Sequence, residues 1–531
     1  MFRGNSVAPI VLVCDGIDAA GLVALEGVAE IRRPVGPLTA EDLAVADALL
    51  VRSATRVTEA VLAAAPRLRV VARAGVGVDN IDVASATRRG VVVINAPDGN
   101  TIAAAEHTLA LMMALVRRVP EADARVKAGG WDRQKFVGVE LAGRRLGVLG
   151  LGRIGQRVAR VARALDMDVV AFDPFLPEDR AASLGIPLAP LEEVLATADV
   201  VTLHLPRTPQ TAGLLGRQAL ASMKPGARLI NAARGGIIDE AALAERVAAG
   251  HLAGAALDVF EEEPLGDSPL RALGGHVVLT PHLGASTEEA QTKVARDVAE
   301  QVRDFLQGDM VRTAVNMPSL PSDVARAVAP FAQPLERLGA LVAQLEPSAV
   351  LRLDIQFSGR WPEVPIEPLV TAVLKGWLSV GLGETVNWVN ARFLASDRGT
   401  ELRDQRLREG KERDAAVRVR AEGPDGRASE AVLSWLGDGH PRLVGIEGHR
   451  FSLQTEGWLM LAPHEDVPGA VGRLATLLGQ HGVNISGLQL DRRERGGQAM
   501  LALALDEAAP VSVLEAVPAI PGFGPVRQAR L

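Results

Sequence analysis

Cysteine, tyrosine and long hydrophobic runs are scarce or missing in this sequence. Cys14 is the only cysteine, and tyrosine is absent. A single cysteine excludes a disulfide within the chain, which fits the reducing cytoplasm. No apolar run approaches the roughly 20 residues that a membrane helix needs. The apolar run near the N-terminus breaks at Asp15, which indicates a buried strand instead of a secretory signal. We therefore expect a cytoplasmic protein with no membrane partner.

Excess positive charge is also lacking. The formal net charge is −7, and no basic tract interrupts the 531 residues, which argues against a nucleic-acid partner. The apolar content of 48 % and the charged content of 23 % are those of an ordinary globular protein. A chain of this length predicts three or four domains, at roughly 100–200 residues each.

Short apolar runs recur along the first half of the chain. They end in polar or glycine turns and alternate with helical patterns, which is typical of parallel strands buried on both faces. The first group covers residues 8–15, 48–55, 68–75 and 90–97. The second group covers residues 145–152, 167–174, 198–206, 227–235, 252–260 and 276–282. We expect two doubly wound α/β units, the second with the six strands of a dinucleotide-binding sheet.

Two long helical patterns flank the second unit. The first, at 101–118, has Asn100 or Thr101 as its expected N-cap. The second, at 286–308, begins with a capping-box pattern of Ser286 and Glu289 and stops at Gly308. We interpret it as a helix that returns to the first unit, so the first domain is predicted to be discontinuous.

The second half of the chain has a different pattern. Residues 316–321 (NMPSLP) have a linker composition, and residues 351–359 and 415–423 alternate like half-exposed strands. The charge-dense stretch 396–414 is interpreted as a solvated loop or helix face. Residues 458–528 follow the order βαββαβ. The predicted domains are 1–98 with 288–315, 99–287, 316–452 and 458–531, called the first to fourth units below.

A glycine-rich turn follows the first strand of the second unit and opens a helix. Its residues are Gly150, Gly152, Arg153, Ile154 and Gly155. The glycines allow a tight turn and close approach of a pyrophosphate to the helix N-terminus. Asp173 ends the next strand, where a carboxylate takes the ribose hydroxyls and repels the extra phosphate of NADP. The alternative for Asp173 is a helix cap or turn. The context favours an NAD site.

Three further residues are predicted to meet at the same edge of the sheet. Arg234 and His282 end apolar strands, and Glu263 lies in the segment EEEP between them. Taken singly they could be a surface arginine, a packed histidine and a solvated acid. Together the arginine, the histidine and the acid are the catalytic groups that hydride transfer on a 2-hydroxy acid needs. The arginine fork grips the carboxylate and keto oxygen, and the histidine carries the hydroxyl proton, tuned by the acid. Asp258, at another strand end, is expected near the nicotinamide carboxamide.

The motifs resemble those of the D-isomer-specific 2-hydroxyacid dehydrogenases. Within that family the chain is similar to the long, four-domain branch that acts on 3-phospho-D-glycerate. The resemblance rests on ARAGVGVDNID (72–82), GLGRIG, NAARGG, AALDVF and PHLGAST. It implies NAD-dependent oxidation of 3-phospho-D-glycerate to 3-phosphohydroxypyruvate, the first step of L-serine biosynthesis. No metal is expected.

The resemblance also implies site residues. Those expected to line the NAD site are Ala232, Ala233, Arg234, Asp258, His282, Leu283, Gly284 and Ala285. Those expected at the substrate are Arg52, Ser53, Arg73 and Arg133. Arg133 resembles an arginine that reaches the substrate in the family, from its own or from a partner subunit, and the alternative is an ordinary surface arginine. The arginine fork suits phosphate. Val76 departs from the family, because some relatives have a threonine there that touches the substrate.

The fourth unit resembles an ACT domain, a small amino-acid-sensing module. His464, Asp466 and Asn484 match positions that bind L-serine in long-branch relatives, while Val467 replaces a common arginine. Asp466 is also expected to cap the following helix. Two paired copies would hold the effector, so a homodimer or homotetramer is expected. The third unit resembles the branch's intervening regulatory domain.

Two other functions remain open from the sequence. One is a dehydrogenase for glycerate, lactate or formate, against which Arg52, Arg73 and the fourth unit argue. The other is an NAD(H)-sensing corepressor of the same fold, a binding module whose chemistry is secondary. Turnover at enzymatic rates on phosphoglycerate separates both from the favoured reading.

Overall fold

The computed structural model describes residues 8–308, 311–317, 322–345, 349–361, 364–407, 414–436 and 439–531. The last four residues of the predicted linker, 318–321, and residues 408–413 of the charge-dense stretch lie outside these ranges. Among the described residues, no helix is long and apolar enough to cross a membrane.

The first unit is a parallel sheet with helices between its strands. Its elements are β1 Ile10–Val13, β2 Glu30–Arg32, α1 Ala40–Val45, β3 Ala48–Val51, α2 Glu59–Ala64, β4 Val70–Arg73, α3 Val83–Arg88 and β5 Val92–Ile94. The strand order is β2-β1-β3-β4-β5. The four predicted strands are confirmed, and all but the last residue of β4 are buried. Strand β2 was not predicted, because it is a three-residue edge strand with two charged residues.

The second unit contains a six-stranded parallel sheet, as predicted. Its elements are α4 Thr101–Arg117, α5 Val119–Lys127, β6 Arg145–Leu149, α6 Arg153–Ala164, β7 Asp168–Phe172, α7 Glu178–Ser183, α8 Leu191–Thr197, β8 Val200–Leu203, α9 Arg217–Ser222, β9 Arg228–Asn231, α10 Glu240–Ala248, β10 Gly254–Leu257 and β11 Val277–Leu279. The strand order is β11-β10-β9-β8-β6-β7. The order reverses at β6, so a ligand crevice opens at the carboxyl ends of β6 and β8.

Helix α11 (Glu288–Gln307) returns from the second unit to the first. Val294, Val298 and Val302 pack into the core of the first sheet. The predicted cap at Ser286 is wrong by one residue: Thr287 has the extended backbone, and its side chain accepts the N–H of Ala290 at 3.2 Å. Gly308 ends the helix in the left-handed conformation, as predicted.

The third unit is a six-stranded mixed sheet covered by helices. Its elements are α12 Ser322–Leu345, β12 Arg352–Ser358, α13 Glu367–Leu382, α14 Ala391–Asp397, β13 Glu401–Arg406, β14 Ala415–Glu422, β15 Ala428–Trp435, β16 Pro441–Ile446 and β17 His449–Leu453. The strand order is β13-β12-β14-β15-β16-β17. The predicted strands β12 and β14 are confirmed. The interpretation of 396–414 as loop or helix face is wrong for 401–406, because these residues pair with β12 as an edge strand whose charged side chains face solvent.

The fourth unit has the predicted order βαββαβ. Its elements are β18 Trp458–Glu465, α15 Ala470–Gln480, β19 Ile485–Arg492, β20 Gln498–Leu505, α16 Val511–Ala516 and β21 Arg527–Arg530. The strand order is β19-β20-β18-β21, with antiparallel pairs. One face packs on α15, and Leu459, Leu461 and Met500 on the other face join the core of the third unit. Its sheet is therefore sandwiched between its own helices and the third unit.

Candidate active site

The carboxyl ends of the second sheet bring His282 and Glu263 into direct contact. His282 Nδ1 lies 2.7 Å from Glu263 Oε2, and both side chains are partly exposed in the cleft. The other carboxylate oxygen, Oε1, accepts the backbone N–H of Phe260 at 3.1 Å. Burial alone would raise the pKa of Glu263, but the hydrogen bonds from His282 and Phe260 outweigh it and lower that pKa. Glu263 is therefore a carboxylate at neutral pH, and it fixes the ring orientation of His282.

The backbone around His282 is held by a buried carboxylate. Asp258 is fully buried, and its Oδ1 accepts hydrogen bonds from His107 Nε2 at 3.0 Å, from Thr280 Oγ1 at 2.6 Å and from the N–H of Leu283 at 2.8 Å. Its Oδ2 accepts the N–H of Gly284 at 2.8 Å. Burial would raise the pKa of Asp258, but these donors hold it below its usual value. Both oxygens of Asp258 are thus engaged in shaping the loop that carries His282.

His107 and Thr280 are members of this network that were not predicted from the sequence. His107 lies on α4, the helix that precedes the second sheet, and faces the end of β10. Nothing local distinguishes His107 from an ordinary histidine in a helix, because its partner is 151 residues away.

His282 itself has a left-handed backbone, with φ of 55°. Its N–H donates to the carbonyls of Asp258 and Thr280, which keeps this rare conformation in place.

Arg234 points from the second unit across the cleft toward the first. Asn231 stabilises the turn that carries it, donating to the carbonyl of Arg234 at 2.9 Å and accepting the N–H of Ala233 at 3.0 Å. The guanidinium donates to the carbonyl of Ala233 at 2.7 Å and forms an ion pair with Asp79, at 3.3 Å from Nε to Oδ2. A Cβ on Gly77 would lie 2.2 Å from Arg234 Nη2 and 2.7 Å from Asp79 Oδ2, so a side chain at this position would displace the ion pair of Arg234 with Asp79.

Arg52 and Arg73 extend this positive cluster on the first unit. Arg73 Nη1 donates to the carbonyl of Gly77, and its buried Nε has no hydrogen-bond partner within the described part of the chain. Burial, followed by the charges of Arg234 and Arg52, lowers the pKa of Arg73 to about 10. Arg73 is still a cation at neutral pH. Three cations, Arg52, Arg73 and Arg234, face the carboxylates of Asp79 and Asp15 among the described residues, and Asp15 is already bonded to the loop of Arg52, so the site favours a further anion.

The loop that carries Arg52 is fixed through its backbone. Asp15 Oδ2 accepts the N–H of Arg52 at 2.6 Å, and Asn80 Nδ2 donates to the carbonyls of Arg52 and Thr55 at 2.7 and 2.6 Å. The guanidinium of Arg52 forms no hydrogen bond or ion pair with any described residue. Ser53, next to it, is exposed. The Arg52 side chain is therefore available to a ligand without any cost to the loop.

The glycine turn has the geometry that a dinucleotide phosphate needs. Gly150 has φ of 95°, and a Cβ on Gly155 would lie 2.1 Å from the carbonyl oxygen of Gly150. A Cβ on Gly152 would meet no atom within 4 Å, so this side of the turn is open. Helix α6, of 12 residues, begins at Arg153 with no side-chain cap, and its first N–H groups face the same opening. These residues fit a pyrophosphate.

Asp173 lies at the end of β7 beside this turn. Its Oδ2 accepts the N–H of Leu151 at 2.8 Å, and its Oδ1 accepts the N–H of Phe175 at 3.0 Å. Each oxygen keeps a further lone pair for a ribose hydroxyl. Arg153 forms an exposed ion pair with Asp98 at 2.8 Å, which joins the turn to the segment between the two units.

Some predicted site residues lie away from this cleft. Arg133 is exposed in the short helical turn 133–136. Among the described residues, its side chain forms no hydrogen bond or ion pair with the cleft. The same loop exposes Trp131, whose accessible fraction is 75 %.

The three predicted effector residues are occupied within the fourth unit. His464 is buried, and its ring stacks on Phe523 at 5.0 Å. Asp466 accepts Arg492 Nη1 at 2.6 Å and the N–H of Gly496 at 3.1 Å. The prediction that Asp466 caps α15 is wrong, because Gly469 is the N-cap and Asp466 is turned toward the β19–β20 hairpin. Asn484 Nδ2 donates to Asp506 at 2.6 Å.

Two family profiles match the chain. The NAD binding domain of the D-isomer specific 2-hydroxyacid dehydrogenases matches residues 109–284, which contain the glycine turn, Arg234, Glu263 and His282. The D-3-phosphoglycerate dehydrogenase intervening domain matches residues 327–447 in the third unit. Fold and site therefore define an NAD-dependent oxidoreductase of the D-isomer-specific 2-hydroxyacid dehydrogenase class.

Full-length relatives narrow the class. D-3-phosphoglycerate dehydrogenase of Synechocystis sp. is 44 % identical over 98 % of this chain and 95 % of its own. The enzyme of that name from Methanocaldococcus jannaschii is 40 % identical over 97 % of this chain and 98 % of its own. The chain belongs to the D-3-phosphoglycerate dehydrogenase family.

Solved structures of dehydrogenase folds match part of the chain. The Aquifex aeolicus D-lactate dehydrogenase complexed with NAD and lactic acid is 29 % identical, with a TM-score of 0.53, and covers 58 % of this chain and 100 % of its own. The TT0316 protein of Thermus thermophilus is 38 % identical, with a TM-score of 0.52, over 58 % of this chain and 99 % of its own. Each of these structures is covered over nearly its whole length by 58 % of this chain.

Proposed function

We propose that the cleft between the first two units oxidises 3-phospho-D-glycerate to 3-phosphohydroxypyruvate with NAD. His282 takes the proton of the C2 hydroxyl as the general base. Glu263 orients the ring through the bond at 2.7 Å and stabilises the charge that His282 gains. Arg234 holds the substrate carboxylate and the developing keto oxygen. The contact between His282 and Glu263, opposite a cluster of three arginines, is the observation that carries this proposal.

Arg52 and Arg73 are proposed to bind the substrate phosphate. Arg73 is held against Gly77 and lacks a full complement of partners, and the Arg52 guanidinium has none among the described residues. Burial and the repulsion from Arg234 and Arg52 together lower the pKa of Arg73, and a phosphate between Arg52 and Arg73 would relieve that repulsion. Arg234 is close enough to Arg73 to contribute to that repulsion, so one small molecule with an anion at each end can satisfy both.

The residues proposed to hold NAD are Gly150, Gly152, Arg153, Ile154, Gly155, Asp173, Ala232, Ala233, Arg234, Asp258, His282, Leu283, Gly284 and Ala285. When bound, NAD accepts the hydride that leaves C2. The open N–H groups at the start of α6 bind the pyrophosphate, and Asp173 accepts the ribose hydroxyls and excludes a 2′-phosphate. Asp258 acts through the loop that it holds, because its own oxygens already accept four hydrogen bonds.

The proposal extends to the assembly and its control. Trp131 and the neighbouring Val137, 75 % and 76 % exposed, are proposed to pack against a second copy in a homodimer or homotetramer, which would bring Arg133 to the partner's cleft. L-Serine is proposed as the effector of the fourth unit. Its binding there requires Asn484 to leave Asp506, and His464 then contributes through its position in the core. The cytoplasm is the proposed location.

One assay tests the reaction. The full chain is mixed with NAD and either 3-phospho-D-glycerate, D-glycerate or D-lactate, and NADH absorbance is followed with and without L-serine. We expect a kcat/KM for the phosphorylated substrate that is higher by a factor of ten or more. A preference for an unphosphorylated acid would reassign the enzyme within its class. Binding of NADH with no turnover on any hydroxy acid would favour a sensor.

A further inference from the structure

A partly enclosed cavity of about 680 Å³ separates the first unit from the third. It lies at the amino ends of β4 and β5, whereas Arg73 lies at the carboxyl end of β4, so the cavity is on the opposite side of the sheet from the active site. Its volume is within the range of roughly 300–1,000 Å³ that is usual for small-molecule sites. We call it the junction cavity. Its two walls belong to different units, so any occupant touches both.

The lining of the junction cavity is mostly apolar. The residues that form the apolar walls are Leu68, Val92, Phe305 and Val311 on the first unit and Val328 and Trp388 on the third. Three uncharged polar side chains there are already bonded to the protein. Thr371 and Thr385 donate to the carbonyls of Glu367 and Leu382, both at 2.8 Å, and Asn387 donates to the carbonyl of Gly90 at 2.8 Å. They close the wall and leave little for a ligand to bond.

The charged groups of the junction cavity are different. Arg69, Arg89 and Glu384 line it. Within the described residues none of the three has an ion pair or a side-chain hydrogen bond. The Arg69 guanidinium lies over the ring of Phe305, at 5.2 Å from its centroid. This cation–π contact positions the guanidinium but leaves the hydrogen-bonding edge free. Among the described lining residues, these two cations and one carboxylate give the wall a net positive charge.

We propose that the junction cavity binds an amphipathic organic anion, with an apolar body between the two units and its single anionic group held by Arg69 and Arg89. Apolar walls reward removal of the body from water, and the arginine edges match a carboxylate or sulfonate in geometry and charge. A neutral apolar molecule would gain only from burial against the apolar walls. A small inorganic anion would gain only from its bonds to the arginines.

The site is connected to the catalytic cleft by one rigid element. Phe305 lies in the last turn of α11, and Gly308 is the first residue after that helix. Both residues line the junction cavity. The same helix begins six residues after His282 and packs along the first sheet. An occupant that binds one arrangement of the first and third units more tightly than another therefore shifts the equilibrium between the two arrangements. The shift equals the difference between its two binding free energies. This inference stands independently of the reaction proposed above.

The test uses the full chain with saturating NAD, which keeps the dinucleotide site filled. The probe is 8-anilino-1-naphthalenesulfonate, and its comparison is N-phenyl-1-naphthylamine, which has the same rings without the sulfonate. We expect saturable fluorescence at one site and an affinity at least about tenfold higher for the anion, the worth of charge-assisted bonds. Equal affinities for the two probes, or no saturable site, would overturn the proposal.

Matched variants locate the binding. R69A/R89A is expected to remove the preference for the anion, while R67A/R88A, which replaces the neighbouring arginines outside the cavity, keeps it. Ala332, on the third unit, also lines the cavity, so Ala332→Trp fills it and is expected to weaken both probes by about tenfold or more. Loss of preference in both double variants, or full binding to Ala332→Trp, would place the probe elsewhere and refute the site. Circular dichroism of each variant checks its fold.

Discussion

Replacing Arg52 with alanine should weaken recognition of the phosphate and leave the chemistry at C2 intact. The loop of Arg52 is held by backbone bonds to Asp15 and Asn80, at 2.6 and 2.7 Å, which this substitution keeps. What is lost is the guanidinium alone. A hydrogen bond to a charged group contributes about 1.5–3 kcal/mol, so kcat/KM for 3-phospho-D-glycerate should fall by roughly 10–150-fold.

The assay compares that loss with the loss on D-glycerate, which lacks the phosphate. Arg52→Ala should change kcat/KM for D-glycerate by less than about twofold, and the loss on the phosphorylated substrate should appear mainly in KM. Arg56→Ala, an exposed arginine in the same loop, is the control. Equal losses on the two substrates would mean that Arg52 is structural, and the phosphate site would have to be sought elsewhere.

Arg73→Ala provides the contrast, because Arg73 also donates to the carbonyl of Gly77. The glycine lies beneath Arg234, so the substitution should disturb the grip on the carboxylate as well. We expect it to lower kcat on both substrates besides raising KM for the phosphorylated one. An effect confined to the phosphorylated substrate would show that the loop does not depend on Arg73.

Four further substitutions test the remaining roles. His282→Ala should lower kcat by roughly 10²–10⁴ while NAD binding, measured by calorimetry, persists; a near-normal kcat would remove it from the mechanism. Since its pKa is lowered, Glu263 stays charged beside His282 until the pH falls below the ordinary pKa of a glutamate. Glu263→Gln removes this charge at every pH, so it should change the acid limb of the pH–rate profile without abolishing turnover. An unchanged profile contradicts this. Asp173→Asn should weaken NAD and narrow its advantage over NADP; wild-type enzyme that already accepts both equally would refute the role of Asp173. L-Serine should inhibit, and Asn484→Ala should relieve the inhibition at unchanged basal kcat; insensitivity of the wild type to millimolar serine would leave the fourth unit a structural module.

The sequence by itself determined the buried strands of the first two units, the order of the fourth unit and the residues at the strand ends. Continuous apolar runs predicted the six strands of the second sheet, and the βαββαβ order of the fourth unit followed from its alternating patterns. These signals are local, because burial on both faces or on one face repeats within a few residues. Placing Arg234 and His282 at strand ends also required only the topology of a parallel sheet. The domain boundaries rest on the same reasoning and stay a prediction.

Only the tertiary structure decided which side chains meet. The bond of Asp258 to His107 joins residues 151 positions apart, and no sequence pattern predicted it. The pairing of Arg234 with Asp79 depends on how two units close on one cleft. The edge strand β13 forms because β12 offers it a partner, although its own residues are mostly charged. His464 is buried by Phe523, which lies 59 positions on in the sequence. In each case the deciding partner is distant along the chain, and nothing in the local pattern specifies it.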